Sequence, residues 1–230
     1  MQERLGEAGI SLDFIRCAAP TGSAAFNIRF SATTIHRLIH FFTPPYFREL
    51  APGSDQLERF QTFLHDTRMI LIDEISMVGR QFMGKIDSRL RQGAAGREGA
   101  DGSLGGLSCV VVGDPAQCEA LHDQQLYDLD PHRKTANDDA PECARHSNVG
   151  LSVYAEFDDV IVLSTLHRLR FITKDLLTTE EQAYNDRATQ WMETLHRLRD
   201  LQWSLHDYRW LCKRKRCYMT PSERARFEDA

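Results

Sequence analysis

The segment from Met69 to Met77 constrains the fold more than any other part of the sequence. It reads Met-Ile-Leu-Ile-Asp-Glu-Ile-Ser-Met, so a run of four apolar residues leads directly into two adjacent carboxylates, Asp73 and Glu74. A short apolar run bounded by charge indicates a strand covered on both faces. The pattern is a Walker B signature, in which the first carboxylate holds Mg²⁺ and the second activates water to hydrolyse a γ-phosphate. A buried strand ending in a solvated Asp-Glu turn is the alternative.

A second apolar run, from Cys109 to Val112, ends in a similar way. It is followed by Gly113 and Asp114, and then by Gln117. In parallel α/β sheets ligands bind outside the carboxyl ends of the strands. If the two strands are neighbours, Asp114 and Gln117 converge on the same crevice as the acidic pair, where Gln117 would sense a γ-phosphate.

A third strand is predicted from Phe14 to Ala19. It leads into Thr21-Gly22-Ser23 and a small-residue helix start. The free backbone amides at such a helix start could bind a phosphate. Plain helix capping by Thr21 and Ser23 is the alternative, and for an isolated Thr-Gly-Ser it is favoured.

Taken in order, these segments resemble consecutive motifs of the PIF-type (petite integration frequency) DNA helicases, which are superfamily-one enzymes related to RecD. The similarity extends from about Phe14 to Arg214, and its specificity lies in the ordered set. The motifs are Ala19 to Ile28, Thr34 to Arg37, Ile72 to Met77 and Val112 to Gln117.

The resemblance implies an α/β fold of the P-loop NTPase (RecA-like) type, a three-layer sandwich with a mainly parallel sheet. It also implies ATP and Mg²⁺ as cofactors, single-stranded and duplex DNA as partners, and 5′-to-3′ unwinding in replication, repair, recombination or telomere maintenance. A nuclear or mitochondrial location follows from the same likeness. The residues implied for hydrolysis are Asp73, which holds the metal, Glu74, Gln117 and Arg168. Those implied for nucleotide binding are Asp73, Glu74, Asp114 and Gln117, and those implied for DNA binding are Thr21, Gly22, Ser23, Arg29, His36 and Arg37.

The chain departs from the family pattern in several places. Residues 1 to 13 contain no phosphate-binding loop of the form G-x-x-x-x-G-K-[ST], and the near match from Gly79 to Ile86 is better explained as a helix with Phe82, Ile86 and Leu90 on one face. Leu169 and Cys118 also differ from the usual family residues. We therefore expect a fragment with an incomplete fold that is inactive by itself, and a non-catalytic remnant that binds single-stranded DNA or a protein partner is the alternative.

The coarse architecture follows from the spacing of apolar residues. Strands are expected near 14–19, 69–73, 108–113 and 159–164, and helices near 22–40, 55–66 and 80–92. A glycine-rich surface loop is expected at 93–106 and a mobile insertion at 128–148. Residues 1–166 would form the first RecA-like lobe, and residues 167–230 a helical entry into a second, truncated lobe.

Composition indicates an intracellular globular protein. Hydrophobic residues make up 42% of the chain and charged residues 27%, and no apolar run is long enough for a membrane span or a secretory signal. The six cysteines show no disulfide framework, so reduced thiols are expected. A zinc site at His132, Cys143 and His146 lacks a fourth ligand at a standard spacing, and surface-loop residues are the better explanation.

The formal net charge of -5 requires any DNA contact to come from a local groove. Arg29, His36 and Arg37 are the preferred candidates, although His36 could also be a core histidine. The basic run from Lys213 to Arg216 is better explained as a solvated helix face or a nuclear import signal.

Overall fold

The structure, a computed structural model, describes residues 12–41, 47–128, 141–163, 171–213 and 220–221. The chain divides into two compact units, residues 1–160 and 161–230. The first unit contains β1 (Ile15–Ala19), α1 (Gly22–Ile28), β2 (Thr33–Thr34), α2 (Ile35–Leu38), α3 (Asp55–Leu64), β3 (Met69–Ile72), α4 (Arg80–Ala94), β4 (Ser108–Val111) and α5 (Pro141–Tyr154). The second contains α6 (Thr179–Arg199) and α7 (Leu205–Cys212).

The strands of the first unit form one parallel sheet in the order β2-β1-β3-β4. The central pairing aligns Ala18 with Ile72, and Ile72 with Val111, so the strands end at the same level. Strand β4 lies at an edge of this sheet, where Val110 and Val112 are 42% and 39% exposed. The predicted α/β fold with a parallel sheet is confirmed.

The core of the first unit is built from the sheet and from one face of α4. Ile70 and Ile72 of β3 are fully buried, as are Met83, Ile86 and Leu90 of α4, which recur at helical spacing. Helix α4 begins at Arg80, so the helix prediction for the near match to a phosphate loop is confirmed.

Three predicted elements differ from the structure. The helix expected at 22–40 is broken, because Arg29, Phe30 and Ser31 all have positive φ and are followed by β2. The mobile insertion expected at 128–148 is wrong for residues 141–148, which belong to α5. The strand expected at 159–164 is also wrong in its described part, because residues 159–163 are exposed and do not belong to the described sheet.

The glycine-rich segment at 93–106 is more ordered than a surface loop. Helix α4 continues to Ala94, and Leu104 and Gly105 are buried. Gly105 has a φ of 67°, and a Cβ at this position would lie 2.7 Å from the Leu90 carbonyl oxygen of α4. The position therefore requires glycine.

The second unit is stabilised by helix caps and by ion pairs, among them that of Arg197 with Asp207. Thr178 and Glu181 form a capping box at α6, and Ser204 and Asp207 form another at α7. Asp207 is 1% exposed and accepts a hydrogen bond from Arg197 at 2.6 Å. No described helix is long and apolar enough to cross a membrane.

These caps predict acid sensitivity in the second unit. The hydrogen bond from Arg197 holds the pKa of Asp207 well below its usual range, and that from Lys174 lowers the pKa of Glu181 to about 2. In the unfolded chain these carboxyls have ordinary pKa values of about 4. Their stabilisation is therefore fully present above about pH 4 and is lost as the pH falls through the folded pKa values.

The three tryptophans of the chain, Trp191, Trp203 and Trp210, all lie in this unit, so tryptophan fluorescence reports on it alone. We expect an acid transition below about pH 4 that is weakened in Asp207→Asn, with the variant less stable at neutral pH. Asp175→Asn, at an exposed position that belongs to neither capping box, is the matched control. An unchanged transition in Asp207→Asn would contradict the assignment.

Candidate functional site

The acidic pair follows the end of β3, between β1 and β4. The Asp73 amide donates to the Ala18 carbonyl at 2.9 Å, which extends the β1–β3 pairing by one residue. Asp73 Oδ1 accepts the Glu74 amide at 2.9 Å, and the Ile75 amide donates to the Val112 carbonyl at 3.0 Å. Both carboxylates are half-buried at the carboxyl edge of the sheet.

Glu74 has a left-handed backbone, with φ 54° and ψ 46°. Residues other than glycine and asparagine are rarely found there, and strain of this kind clusters at functional sites. We expect Glu74→Gly to be more stable than Glu74→Ala by about 1 kcal/mol, since only the first removes the Cβ that makes this conformation costly. Urea denaturation of the two variants measures the difference, and equal stabilities would show that the backbone is not strained at this residue.

The loop after β4 packs directly against the acidic pair. The Val112 amide donates to the Ile72 carbonyl at 2.8 Å, and a Cβ on Gly113 would lie 2.8 Å from the Ile75 amide nitrogen. Asp114 turns the chain, because its Oδ1 accepts the Ala116 amide at 3.0 Å and its carbonyl accepts the Gln117 amide at 3.0 Å. Asp114 and the exposed Gln117 therefore follow the strand next to the acidic pair, at the same edge.

Gln125 connects these two loops and is a residue whose role the sequence did not predict. With its amide nitrogen toward Ser76, it donates to the Ser76 carbonyl at 3.0 Å and accepts the Ala120 amide at 2.7 Å. Gln125 is 5% exposed, and its backbone forms an isolated antiparallel β-bridge with Gly79. The loop after the acidic pair and the loop after Gln117 are thus held by one side chain, a tertiary contact with no local sequence signal.

Asp123 fixes the start of α4 beside this bridge. Its carboxylate accepts the amides of Gln81 at 3.1 Å and Phe82 at 3.0 Å, which the first turn of a helix leaves without partners. Burial raises the pKa of Asp123, while the same backbone hydrogen bonds and the charge of Lys85 act in the opposite direction. The helix that follows the acidic pair therefore begins at a fixed place.

The segment after β1 contains the first of the predicted DNA-binding residues. Thr21 is the N-cap of α1 and accepts the Ala24 amide at 3.2 Å. Its hydroxyl lies 3.2 Å from that of the exposed Ser23, while a Cβ on Gly22 would meet nothing within 4 Å. The capping interpretation of Thr21 is confirmed, and Ser23 remains accessible.

The remaining predicted DNA-binding residues lie around α1 and α2. Arg29 and Arg37 are exposed. His36 is half-buried, and its ring stacks on Phe41 and Phe82 at centroid distances of 5.5 and 4.8 Å. Burial and the charge of Lys85 lower the pKa of His36, which favours the neutral form of this packed ring.

Two exposed aromatic residues flank Arg29. Phe26 on α1 is 84% exposed and Phe30 is 40% exposed. Aromatic rings beside cations on a surface are the combination that single-stranded nucleic acid binding uses. Sequence reasoning missed both, although aromatic residues on either side of an arginine were a usable signal.

Arg168, predicted to stabilise charge on the γ-phosphate, lies outside the described residues, as does most of the basic run after Lys213. The donor chemistry of the acidic pair suits Mg²⁺, which prefers carboxylate oxygens together with phosphates and water. Within the described ranges no group of three or more His, Cys, Asp or Glu side chains is arranged to hold a metal ion. One or two carboxylates are the usual protein share at a Mg²⁺–nucleotide site, so the residues present fit such a group.

Comparison with known proteins gives a family match. Residues 2–121 match a family model described as an AAA domain. No curated protein matches the chain.

Several solved structures are similar to parts of the chain. One shows DNA unwinding at forked duplex DNA by two coordinating Pif1 helicases, with 29% identity over 52% of this chain and a TM-score of 0.39. Another is Bacteroides Pif1 bound to single-stranded DNA, with 28% identity over 52% of this chain and a TM-score of 0.38. A third is the Pif1 helicase from Candida albicans, with 21% identity over 52% of this chain and 26% of its own, and a TM-score of 0.33. The chain spans about a quarter of the first two proteins, 27% and 26% of their lengths.

Proposed function

Because the chain belongs to the AAA domain family, we propose that it forms the carboxylate-bearing lobe of an ATP-dependent DNA helicase of the PIF type. The observation that carries the proposal is the position of Asp73 and Glu74. They follow the strand between β1 and β4, at the edge where ligands of parallel sheets bind, with Asp114 after the next strand.

The proposed chemistry divides between these side chains. When bound, ATP would supply the γ-phosphoryl group that is transferred to water, and Mg²⁺ would neutralise charge on the phosphates. Asp73 would hold the metal, and its hydrogen bond with the Glu74 amide orients the pair. Glu74 would take the proton of the attacking water, Gln117 would contact the γ-phosphate, and Arg168 would stabilise its charge. By family likeness, unwinding would proceed from 5′ to 3′.

Single-stranded DNA would bind along the ends of β1 and β2. Arg29 and Arg37 would pair with phosphates, Phe26 and Phe30 would stack on bases, and the Thr21 to Ser23 segment would offer hydroxyls and amides. His36 is proposed to support this surface by packing, since its ring stacks on two phenylalanines. Backbone charge and stacking give little sequence preference.

Fluorescence anisotropy with a labelled oligothymidine across a salt series tests this surface. We expect Arg29→Ala combined with Arg37→Ala to reduce the salt slope by about 0.7 for each phosphate that the protein no longer neutralises. Arg59→Ala combined with Arg187→Ala, two exposed arginines elsewhere, is the matched control and should leave the slope unchanged.

Phe26→Ala gives an independent result in the same assay. It should weaken binding by about 1 to 3 kcal/mol with the salt slope unchanged, because stacking releases no counterions. The Arg29 and Arg37 changes could have no effect while replacement of the four basic residues 213–216 by alanine abolishes binding. In that case the basic carboxyl-terminal run binds the nucleic acid instead. DNA binding without ATP hydrolysis in a chain that includes a phosphate-binding loop would favour a non-catalytic remnant.

A further inference from the structure

A cavity of about 540 Å³ lies beside α4 and α5 and is lined in part by Phe47. Its lining includes Arg48, Glu49, Lys85, Cys143, Arg145 and His146. None of these residues belongs to the proposed hydrolytic or DNA-binding sets. The volume is within the range of pockets that hold small organic ligands.

His146 leaves an unsatisfied acceptor at this cavity. The residue is 3% exposed, and its Nδ1 lies 2.9 Å from the Glu142 carbonyl oxygen, to which it must donate. Its Nε2 is therefore the unprotonated acceptor of a neutral ring, and it is buried with no hydrogen-bond partner among the described residues. Burial lowers the pKa of His146, as do the charges of Arg145 and Lys85, despite opposing contributions from Glu142. A buried acceptor without a donor is costly, so a donor from outside the chain would be favoured here.

The same cavity has more free positive than free negative charge. Glu49 is occupied, because it lies 3.5 Å from Arg145 and accepts the Ser88 hydroxyl at 3.2 Å. Lys85 and the Arg48 guanidinium form no hydrogen bond or ion pair with any described residue. Glu142 is the one remaining acidic side chain in the described lining, and it is exposed. The lining thus offers two cations for an anion next to an acceptor that a hydroxyl donor would satisfy.

We propose that this cavity binds a phosphate ester that also carries a hydroxyl group, that is, a sugar phosphate. Lys85 and Arg48 hold the phosphate, and His146 accepts the sugar hydroxyl at Nε2. A metal ion does not account for the site, because no cluster of three metal-ligating side chains exists in the part of the chain that the structure describes. The ligand is either a free sugar phosphate or the 5′-phosphorylated end of a nucleic acid, which presents the same groups.

The test titrates the full chain with ribose 5-phosphate and follows the imidazole nitrogens of His146 by two-dimensional NMR. Nε2 should shift on binding, because it gains a hydrogen bond. Lys85→Met should weaken binding about tenfold or more, as expected when a hydrogen bond to a charged group is removed. His146→Phe should weaken it about fivefold and leave the melting temperature unchanged or higher, since the substitution removes the unsatisfied buried atom.

Control ligands and a control variant make the result specific. Inorganic phosphate and ribose should each bind more weakly than ribose 5-phosphate, and Arg59→Met should bind like the unchanged protein. A 5′-phosphorylated oligothymidine that competes with ribose 5-phosphate would identify a nucleic acid end as the source, whereas no competition would identify the free compound. The proposal would be overturned if the Nε2 resonance of His146 does not shift during the titration. It would also be overturned if Lys85→Met binds ribose 5-phosphate as tightly as the unchanged protein. Neither readout involves ATP or the carboxylate pair, so failure here is separable from failure of the proposed helicase function.

Discussion

Replacing Glu74 with glutamine is expected to lower ATP turnover by a factor on the order of 10² or more, in a protein that joins this chain to a phosphate-binding loop and a second lobe. The amide keeps the size of the side chain and cannot accept the proton of the attacking water. Nucleotide affinity should remain nearly unchanged, because the proposed metal ligand is Asp73. Steady-state hydrolysis and nucleotide titration measure the two quantities separately.

Two further variants make this result specific. Asp73→Asn should instead increase the Mg²⁺ concentration needed for half-maximal turnover, because a neutral amide is a poorer ligand than a carboxylate. Glu119→Gln, at an exposed carboxylate in the loop after β4, is the matched control and should have no effect. Unchanged turnover in Glu74→Gln would remove the role assigned to Glu74.

The largest expected loss of stability comes from adding a methyl group where α4 and α5 cross. A Cβ on Gly150 would overlap the Arg80 carbonyl oxygen, and a Cβ on Gly84 would overlap the His146 carbonyl oxygen. Both neighbours are backbone atoms of a packed helix, so they cannot move aside as a flexible side chain can. We expect Gly150→Ala to lower the free energy of unfolding by about 3 kcal/mol.

Urea denaturation followed by circular dichroism measures this loss. Gly22→Ala is the matched control, because nothing lies within 4 Å of its added Cβ, and alanine is at least as favourable as glycine in a helix. It should be as stable as the unchanged protein or more stable. Equal stability of Gly150→Ala and Gly22→Ala would show that the two helices can separate without cost.

Sequence patterns predicted those parts of the fold that depend on local alternation and apolar runs. Strands β1, β3 and β4 and helices α3 and α4 lie close to their expected ranges, because each joins an apolar run or stripe to a clear boundary. Helix α5 was missed, because its first half is polar and its packing against α4 depends on glycines at the crossing. The strand expected at 159–164 rested on an apolar run alone, which does not specify a pairing partner.

The candidate site was predictable to the same extent. Parallel pairing places the ends of β1, β3 and β4 at one edge, so the sequence positions of Asp73 and Asp114 were sufficient to group them. The left-handed backbone of Glu74 and the bridging amide of Gln125 depend on interactions between distant segments, which no short motif records. The roles assigned to these residues remain predictions for the variants above.

The outer side of β4, which no other described strand covers, has a practical consequence for every measurement in solution. The edge of a strand presents backbone donors and acceptors that can pair with another strand. The half-exposed valines at positions 110 and 112 add apolar surface that favours association. Two copies could join through these edges as concentration rises. Titrations should therefore be run at low micromolar protein with light scattering alongside, so that self-association is not mistaken for ligand binding.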